Sequence, residues 1–418
     1  MQDVASADGV TRVNARERHA PTWAFDLYRN TRAAKRRVYS FTDVLSVAEG
    51  KRAYREIGQW QGYAPTPLRD LTGMSTQAGV HRVLYKDEAP RFGLGSFKAL
   101  GGAYAVACLL QHLLSQRLDR TVSVSELASP AYADWIRGVT VACASDGNHG
   151  LSVAAGAKRF GCGCTIFLHE GVSPHRTQAI TDLGASVIRT PGSYDDSVRA
   201  AMQTSQAQGW HVVADTSDDP ADRMPAHVMH GYASLVIETL QELRSSGDAL
   251  PTHVFLQGGV GGLAAAVVSF LWEELGADRA PIFIIVEPTR ADCLYQSAVN
   301  GGPTPAKGDL NTLMAGLSCG EVSRVAWPIL EAGAEFFMTV QDAASVECMR
   351  LLRKGALGGG SIIAGESGVA GLAGLLAATQ DPTGLALSQL RLNSSSTILL
   401  IGTEGATDPE IYERLTKL

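Results

Sequence analysis

GVTVACASDGNHGLSVAAGAKRFG, residues 138–161, sets a β-branched apolar run against a glycine-rich turn and then an Ala-rich stretch with helical periodicity. The run at 139–144 is too short for a helix of ordinary length, and it ends at a turn signal; it reads as a buried strand. The same unit recurs down the chain. Strand-like 164–169 is followed by a short helix at 179–185, a strand at 186–191, a helix at 193–208 and a strand at 210–215. The runs at 252–257, 281–288 and 396–405 continue the series. Strands alternating with helices imply βαβ units and a mainly parallel sheet with both faces covered, so the fold class is α/β.

The 418 residues, 45% hydrophobic, are enough for two lobes around separate cores. We divide the chain into an N-terminal extension, 1–60, and a catalytic region, 61–418. A smaller lobe lies around 100–230 and a larger one comprises the remainder. A helix is expected over 42–59, with Thr42 as its cap. Residues 115–137 read as a surface insertion, and 355–368, GALGGGSIIAGESG, as a mobile or cofactor-facing loop.

Net charge is −6 with no long run of either sign. That points away from nucleic acid and anionic membrane surfaces, and toward a small-molecule substrate. The apolar stretches at 261–271 and 368–378 fall short of the roughly 20 residues that span a bilayer. No apolar leader is read at the N-terminus, so the expected location is the cytoplasm. Seven cysteines contain no CxxC pair; no metal site is expected from them, and most read as small buried hydrophobes.

In a sheet of this kind, chemistry gathers at the turns following the strands. Four segments meet that test. QGGVGGLA, 257–264, places glycines between a strand and a helix, where backbone N–H groups and the helix N-terminus cradle an anion. It lacks both the dinucleotide fingerprint and the Lys-Ser/Thr of a nucleotide P-loop, so a phosphate without a nucleotide is favoured. Lys98, in GSFKALGG, is one cation among small and apolar residues; desolvation would lower its pKa and make it a usable amine, although taken alone a solvated lysine at a helix edge is the commoner case, and only the other segments favour the amine. In SDGNHG, Asn148 offers an amide for a phenolic oxygen and Asp146 a carboxylate, while His149 reads most simply as filling the turn. Thr403, ending the run at 396–405, supplies a hydroxyl for a ring nitrogen or merely a cap; Glu366 and Glu404 nearby read as solvated or as cation ligands.

Together these segments resemble the fold type II pyridoxal-phosphate enzymes, the tryptophan synthase β-like group, in the order Ser-Phe-Lys-Ala, Gly-Asn-His-Gly, glycine loop, hydroxyl. Within that group the chain looks most similar to the diaminopropionate ammonia-lyases. Its Arg91-Phe92-Gly93-Leu94, its Asp146 where relatives usually have Ser or Thr, and its EPTRADCLYQSA, TLMAGLSCGE, GESGVAG and TEGATDPE carry that likeness. The resemblance implies two-lobed, mainly parallel sheets and pyridoxal 5′-phosphate as cofactor. It implies that Lys98, beside Phe97, holds the cofactor, that Asn148 bonds its 3′-oxygen, that Gly258, Gly259, Val260, Gly261 and Gly262 hold its phosphate, and that Thr403 faces its ring nitrogen.

Lys98, Asp146 and Asp215 are implied as catalytic, with Asp146 taking the proton of a D-substrate and Lys98 that of an L-substrate. The implied reaction is α,β-elimination of 2,3-diaminopropionate to pyruvate and two ammonia, in a homodimer. The alternative is a serine/threonine dehydratase-like or β-replacement enzyme. Cys293 and Cys319 match a pair that can form a disulfide in the lyases, although free thiols are the expected state in a reducing compartment. Three departures from the family pattern fall near the expected substrate pocket: Asp218-Asp219-Pro220, Pro225-Ala226-His227, and Leu151 in place of an arginine.

Overall fold

The computed structural model describes residues 21–33, 38–145, 147–217, 219 and 221–417. Eleven strands among these form two sheets: β1 (Phe25–Arg29), β2 (Leu68–Asp70), β3 (Arg82–Asp87), β4 (Thr140–Ala144), β5 (Gly163–His169), β6 (Ser186–Thr190), β7 (His211–Val212), β8 (His253–Gln257), β9 (Ile282–Pro288), β10 (Phe336–Val340) and β11 (Thr397–Gly402). The larger sheet runs β1-β10-β9-β8-β11-β3-β2, and the smaller β6-β5-β4-β7. The small sheet is parallel throughout. In the large one only the edge strands β1 and β2 pair antiparallel. The α/β class with mainly parallel sheets is therefore as the periodicity required.

The central strands are apolar on both faces because each face has its own core. In β8, Val254 and Leu256 join one cluster of buried side chains and Phe255 the other. Phe283 and Ile285 alternate in the same way with Ile284 and Val286, and Leu399 and Ile401 with Ile398 and Leu400. Burial of each such side chain contributes about 1.5–3 kcal/mol, so the period of two fixes the register of the whole sheet.

Three helices position the site: Lys98–Leu118, Met224–Ser246 and Gly262–Leu275. The first two cross almost without side chains between them. A Cβ on Gly231 would sit 2.6 Å from Leu100 O, and one on Gly101 would sit 2.4 Å from the Tyr232 ring. That close approach sets Phe97 against Tyr232, ring centroids 4.7 Å apart, at the start of the Lys98 helix.

The N-terminal segment differs from the expected helix over 42–59. The helix spans Val47–Ile57, with Ser46 rather than Thr42 as its cap. Ser46 Oγ accepts from Glu49 N and the Glu273 carboxylate accepts from Val47 N, so two otherwise orphaned donors are satisfied only if the helix starts there. Residues 115–137 are not a purely surface insertion either, because Val122, Val124, Leu127 and Ile136 enter the core. No helix of the described residues is long and apolar enough to cross a membrane.

Candidate active site

Three strand ends meet at the site: β4 leads into Ser145, β8 into Gly258 and β11 into Thr403. Lys98 opens its helix, and Ser96 Oγ accepts a hydrogen bond from its backbone N–H at 3.1 Å. Its Nζ donates to Asp215 Oδ2 at 2.8 Å; the two side chains are 25% and 17% accessible. Burial works against the lysine's charge, but the facing carboxylate prevails and raises its pKa above the usual lysine value. Asp215 is the mirror case: burial opposes ionisation, Lys98 outweighs it, and the carboxyl is held below its usual range. The expectation of a lowered lysine pKa is thus reversed in this structure. The cause is Asp215, which sequence spacing does not place beside Lys98.

The turn after β4 is organised by Ser145, whose Oγ accepts from Gly147 N at 2.9 Å and Gly150 N at 2.8 Å. Gly147 has φ 135°, and a Cβ there would meet Arg176 Cδ at 2.9 Å; only glycine fits. Asp146 lies outside the described residues. Asn148 donates from Nδ2 to Glu404 Oε2 at 2.7 Å. His149 is buried and does more than fill the turn. Its Nε2 lies 2.8 Å from Val213 O, which requires that nitrogen to carry the proton, and its Nδ1 is 3.9 Å from Asp215 Oδ2. Burial pushes the His149 pKa down, so the ring stays neutral.

The glycine loop runs from the end of β8 to the N-terminus of the Gly262–Leu275 helix. Gly258 N donates to Val286 O at 2.8 Å, and Val260 O accepts from Ser323 N at the same distance. A Cβ on Gly258 would lie 2.5 Å from Glu287 Cγ; on Gly261, at φ 104°, 2.9 Å from Leu330 Cδ1; on Gly259, 3.2 Å from Cys319 Sγ. At Gly262 the nearest atoms are Met229 Cγ at 3.7 Å and Asp215 O at 3.9 Å, which sets the open end of the loop beside the Lys98–Asp215 pair. An amine on one side and an uncrowded helix N-terminus on the other fit a small aldehyde that carries a phosphate. Thr403 is buried at the end of β11, where its carbonyl accepts from Phe97 N at 2.9 Å and so ties it to the Lys98 segment.

Lys98, Phe97, Asn148, Asp215, Thr403 and the loop 258–262 therefore converge. Glu366 and Glu404 are not solvated. Both are buried, and no group of three or more His, Cys, Asp or Glu arranged to hold a metal occurs among the described residues. Asp218 and Pro220 lie outside the described residues. His227, placed near the substrate pocket by sequence position, faces elsewhere: the charged groups acting on it are Glu49, Arg223, Arg52 and His112, on the side of the Val47–Ile57 helix. Met229, which faces Gly262, lies two residues further along the helix, and a step of two residues turns a side chain to roughly the opposite face. Tyr232, whose phenol is pushed up by burial beside Lys98, was not singled out from sequence because nothing in its local pattern distinguishes it from a core tyrosine. Cys293 and Cys319 are thiols and form no disulfide with each other, the former donating to Gly259 O at 3.4 Å.

Comparison with known proteins agrees with this geometry. The family model described as pyridoxal-phosphate dependent enzyme matches residues 59–387. Diaminopropionate ammonia-lyase of Escherichia coli strain K12 is 39% identical over 373 residues, covering 89% of this chain and 92% of its own. The Salmonella typhimurium enzyme of that name is 36% identical over 387 residues, covering 91% and 95%. The crystal structure of the Escherichia coli lyase with an aminoacrylate-PLP azomethine reaction intermediate superposes at a TM-score of 0.83, with 36% identity, 94% of this chain and 96% of that one. Its complex with D-serine matches at the same TM-score, with 35% identity and the same coverage.

Proposed function

The chain belongs to the diaminopropionate ammonia-lyase family of pyridoxal-phosphate-dependent enzymes, and with that as premise we propose how its residues remove ammonia from 2,3-diaminopropionate by α,β-elimination. The observation that carries the reading is the Lys98–Asp215 pair beside an uncrowded glycine loop at a helix N-terminus. Lys98 would hold the cofactor through its amine, with Phe97 alongside. The loop Gly258, Gly259, Val260, Gly261 and Gly262 would hold its phosphate through backbone N–H groups other than that of Gly258, which Val286 O already takes; Asn148 would hold its 3′-oxygen and Thr403 its ring nitrogen. When bound, pyridoxal phosphate supplies an electron sink for the charge left by removal of the α-proton.

The protein's part is to place and move protons. Lys98 Nζ and Asp215 Oδ2, 2.8 Å apart, can exchange one directly. A free Lys98 amine takes the α-proton of an L-substrate. Asp146 takes that of a D-substrate, a role resting on its position in the motif. An amine departs readily only when protonated, and Asp215 would hold the ammonium or pass on a proton taken up through Lys98. His149 stands neutral behind Asp215, its Nε2 committed to Val213 O. The same reading includes a homodimer, supported by the family resemblance, a place in the cytoplasm, and a two-lobed division with the smaller lobe around 100–230.

The test is pyruvate and ammonia release by the purified, cofactor-loaded protein from D- and L-2,3-diaminopropionate, beside D- and L-serine and L-threonine. Turnover of diaminopropionate, abolished by Lys98→Ala and lost for the D-isomer alone in Asp146→Asn, is expected. A protein that binds the cofactor yet leaves diaminopropionate intact while consuming serine or threonine would overturn the assignment in favour of a dehydratase.

A further inference from the structure

Asn148 faces a carboxylate that the sequence motif gives no reason to expect. Its Nδ2 donates to Glu404 Oε2 at 2.7 Å across 256 residues of chain. A carboxylate only accepts hydrogen bonds, so the amide must present its nitrogen, not its oxygen, to Glu404. The nitrogen carries two N–H groups in one plane, and holding the first aims the second.

Glu404 is itself held rigidly. Its Oε1 accepts from Ser367 N at 3.2 Å, its backbone carbonyl from Gly365 N at 2.9 Å, and it bridges to Ser96 two residues before Lys98. The Gly365–Gly368 segment can cross this closely because neither glycine has a side chain. A Cβ on Gly368 would lie 2.8 Å from Glu404 O, and one on Gly365 would lie 2.5 Å from Gly405 O. Glu366, on the same crossing segment, is buried with Glu404, and its carboxyl is pushed up to about 7, first by burial and then by the charge on Glu404. The other charged groups acting on it are Arg176, with Nη2 3.6 Å away, and Asp408. A Glu366 carboxyl that keeps its proton adds no second negative charge to this cluster.

We infer that Glu404 is a positioning residue for the cofactor: it orients the Asn148 amide so that its second N–H meets the 3′-oxygen, and sets a negative charge behind that contact. The inference rests on the reading of Lys98 and Asn148 given under Proposed function. Removing the charge while keeping the shape makes the 3′-oxygen less basic, so the proton shared between that oxygen and the nitrogen joining Lys98 to the cofactor moves toward nitrogen.

The test uses the full-length protein loaded with pyridoxal 5′-phosphate. The ratio of the cofactor's two absorption bands, one for each position of that proton, is recorded for wild type, Glu404→Gln, Glu404→Ala, Asn148→Ala, the Asn148→Ala/Glu404→Ala double variant and Lys98→Ala. Glu404→Gln is expected to shift the ratio roughly threefold to tenfold toward the nitrogen-protonated form. Glu404→Ala is expected to weaken cofactor binding about tenfold, and the double variant to be no weaker than Asn148→Ala alone. Bands lost in Lys98→Ala but identical in wild type and Glu404→Gln, or losses that multiply in the double variant, overturn the inference alone. Bands that survive in Lys98→Ala overturn the underlying reading as well.

Discussion

Lys98 and Asp215, 117 residues apart in the chain, form a 2.8 Å ion pair on facing sides of the site. One opens a helix packed against the Met224–Ser246 helix, and the other ends the segment that follows β7. Each sets the protonation state of the other against the pull of burial.

Replacing Asp215 with Asn removes the strongest of the factors that hold the Lys98 amine charged against its burial, so the lysine pKa falls. The apo protein should then capture pyridoxal phosphate faster at neutral pH than wild type, while turnover falls by about 10²-fold or more for want of the proton carrier. Stopped-flow absorbance and steady-state pyruvate release separate the two. Slower capture would mean that Asp215 does not hold the amine protonated.

Gly261→Ala forces a non-glycine residue to φ 104° and a methyl group to 2.9 Å from Leu330 Cδ1. The strain costs about 1–3 kcal/mol, and relief by shifting the loop turns its N–H groups away from the phosphate. Cofactor affinity, measured by equilibrium dialysis, should drop at least about tenfold, with a smaller loss for pyridoxal lacking phosphate. Equal losses for both would place the phosphate elsewhere.

Lys86, Glu88, Arg91 and Glu238 are buried together and neutral as a set. Arg91 Nη1 and Nη2 clasp Glu238 at 2.7 and 2.8 Å, its Nε donates to Glu88 at 2.8 Å, and Lys86 Nζ reaches Glu238 at 2.7 Å. The set joins the end of β3 to the Met224–Ser246 helix that carries Tyr232. Glu238→Gln strands two buried cations on one carboxylate and should cost about 3–5 kcal/mol in urea unfolding. Lys51→Ala, which breaks the exposed pair with Glu274, should cost under about 1 kcal/mol. A Glu238→Gln loss no larger than that of the surface pair would contradict the account.

The raised pKa of Glu366, about 7, has a definite sign for stability. Between the ordinary carboxyl value and neutrality the folded state keeps a proton that the unfolded state has released, so this group's contribution falls as pH rises through that window and levels off above it. Glu366→Gln holds position 366 neutral at every pH. The stability of the variant relative to wild type should therefore rise by roughly 2–3 kcal/mol from pH 4.5 to pH 8, read by denaturant titration at each pH. A pH-independent difference would show that Glu366 is ionised throughout.

The repeated alternation of apolar runs, glycine turns and Ala/Leu-rich stretches determined the α/β class and located the turns where the site would be built, because period and turn chemistry are local properties. The order of the four motifs likewise carried the cofactor, since Lys98, Asn148, the loop 258–262 and Thr403 are each recognisable from their immediate neighbours. Which groups touch was decided by the tertiary structure alone. Gly101 and Gly231 let two helices cross closely enough to bring Lys98 under Tyr232; β7 carries Asp215 to the lysine and reverses the sign of its pKa shift; and Gly365 and Gly368 bury Glu404 against Asn148, where isolated glutamates had read as solvated or metal-binding. These pairings join residues more than a hundred positions apart, and burial and charge act through space, where spacing along the chain has no bearing on them.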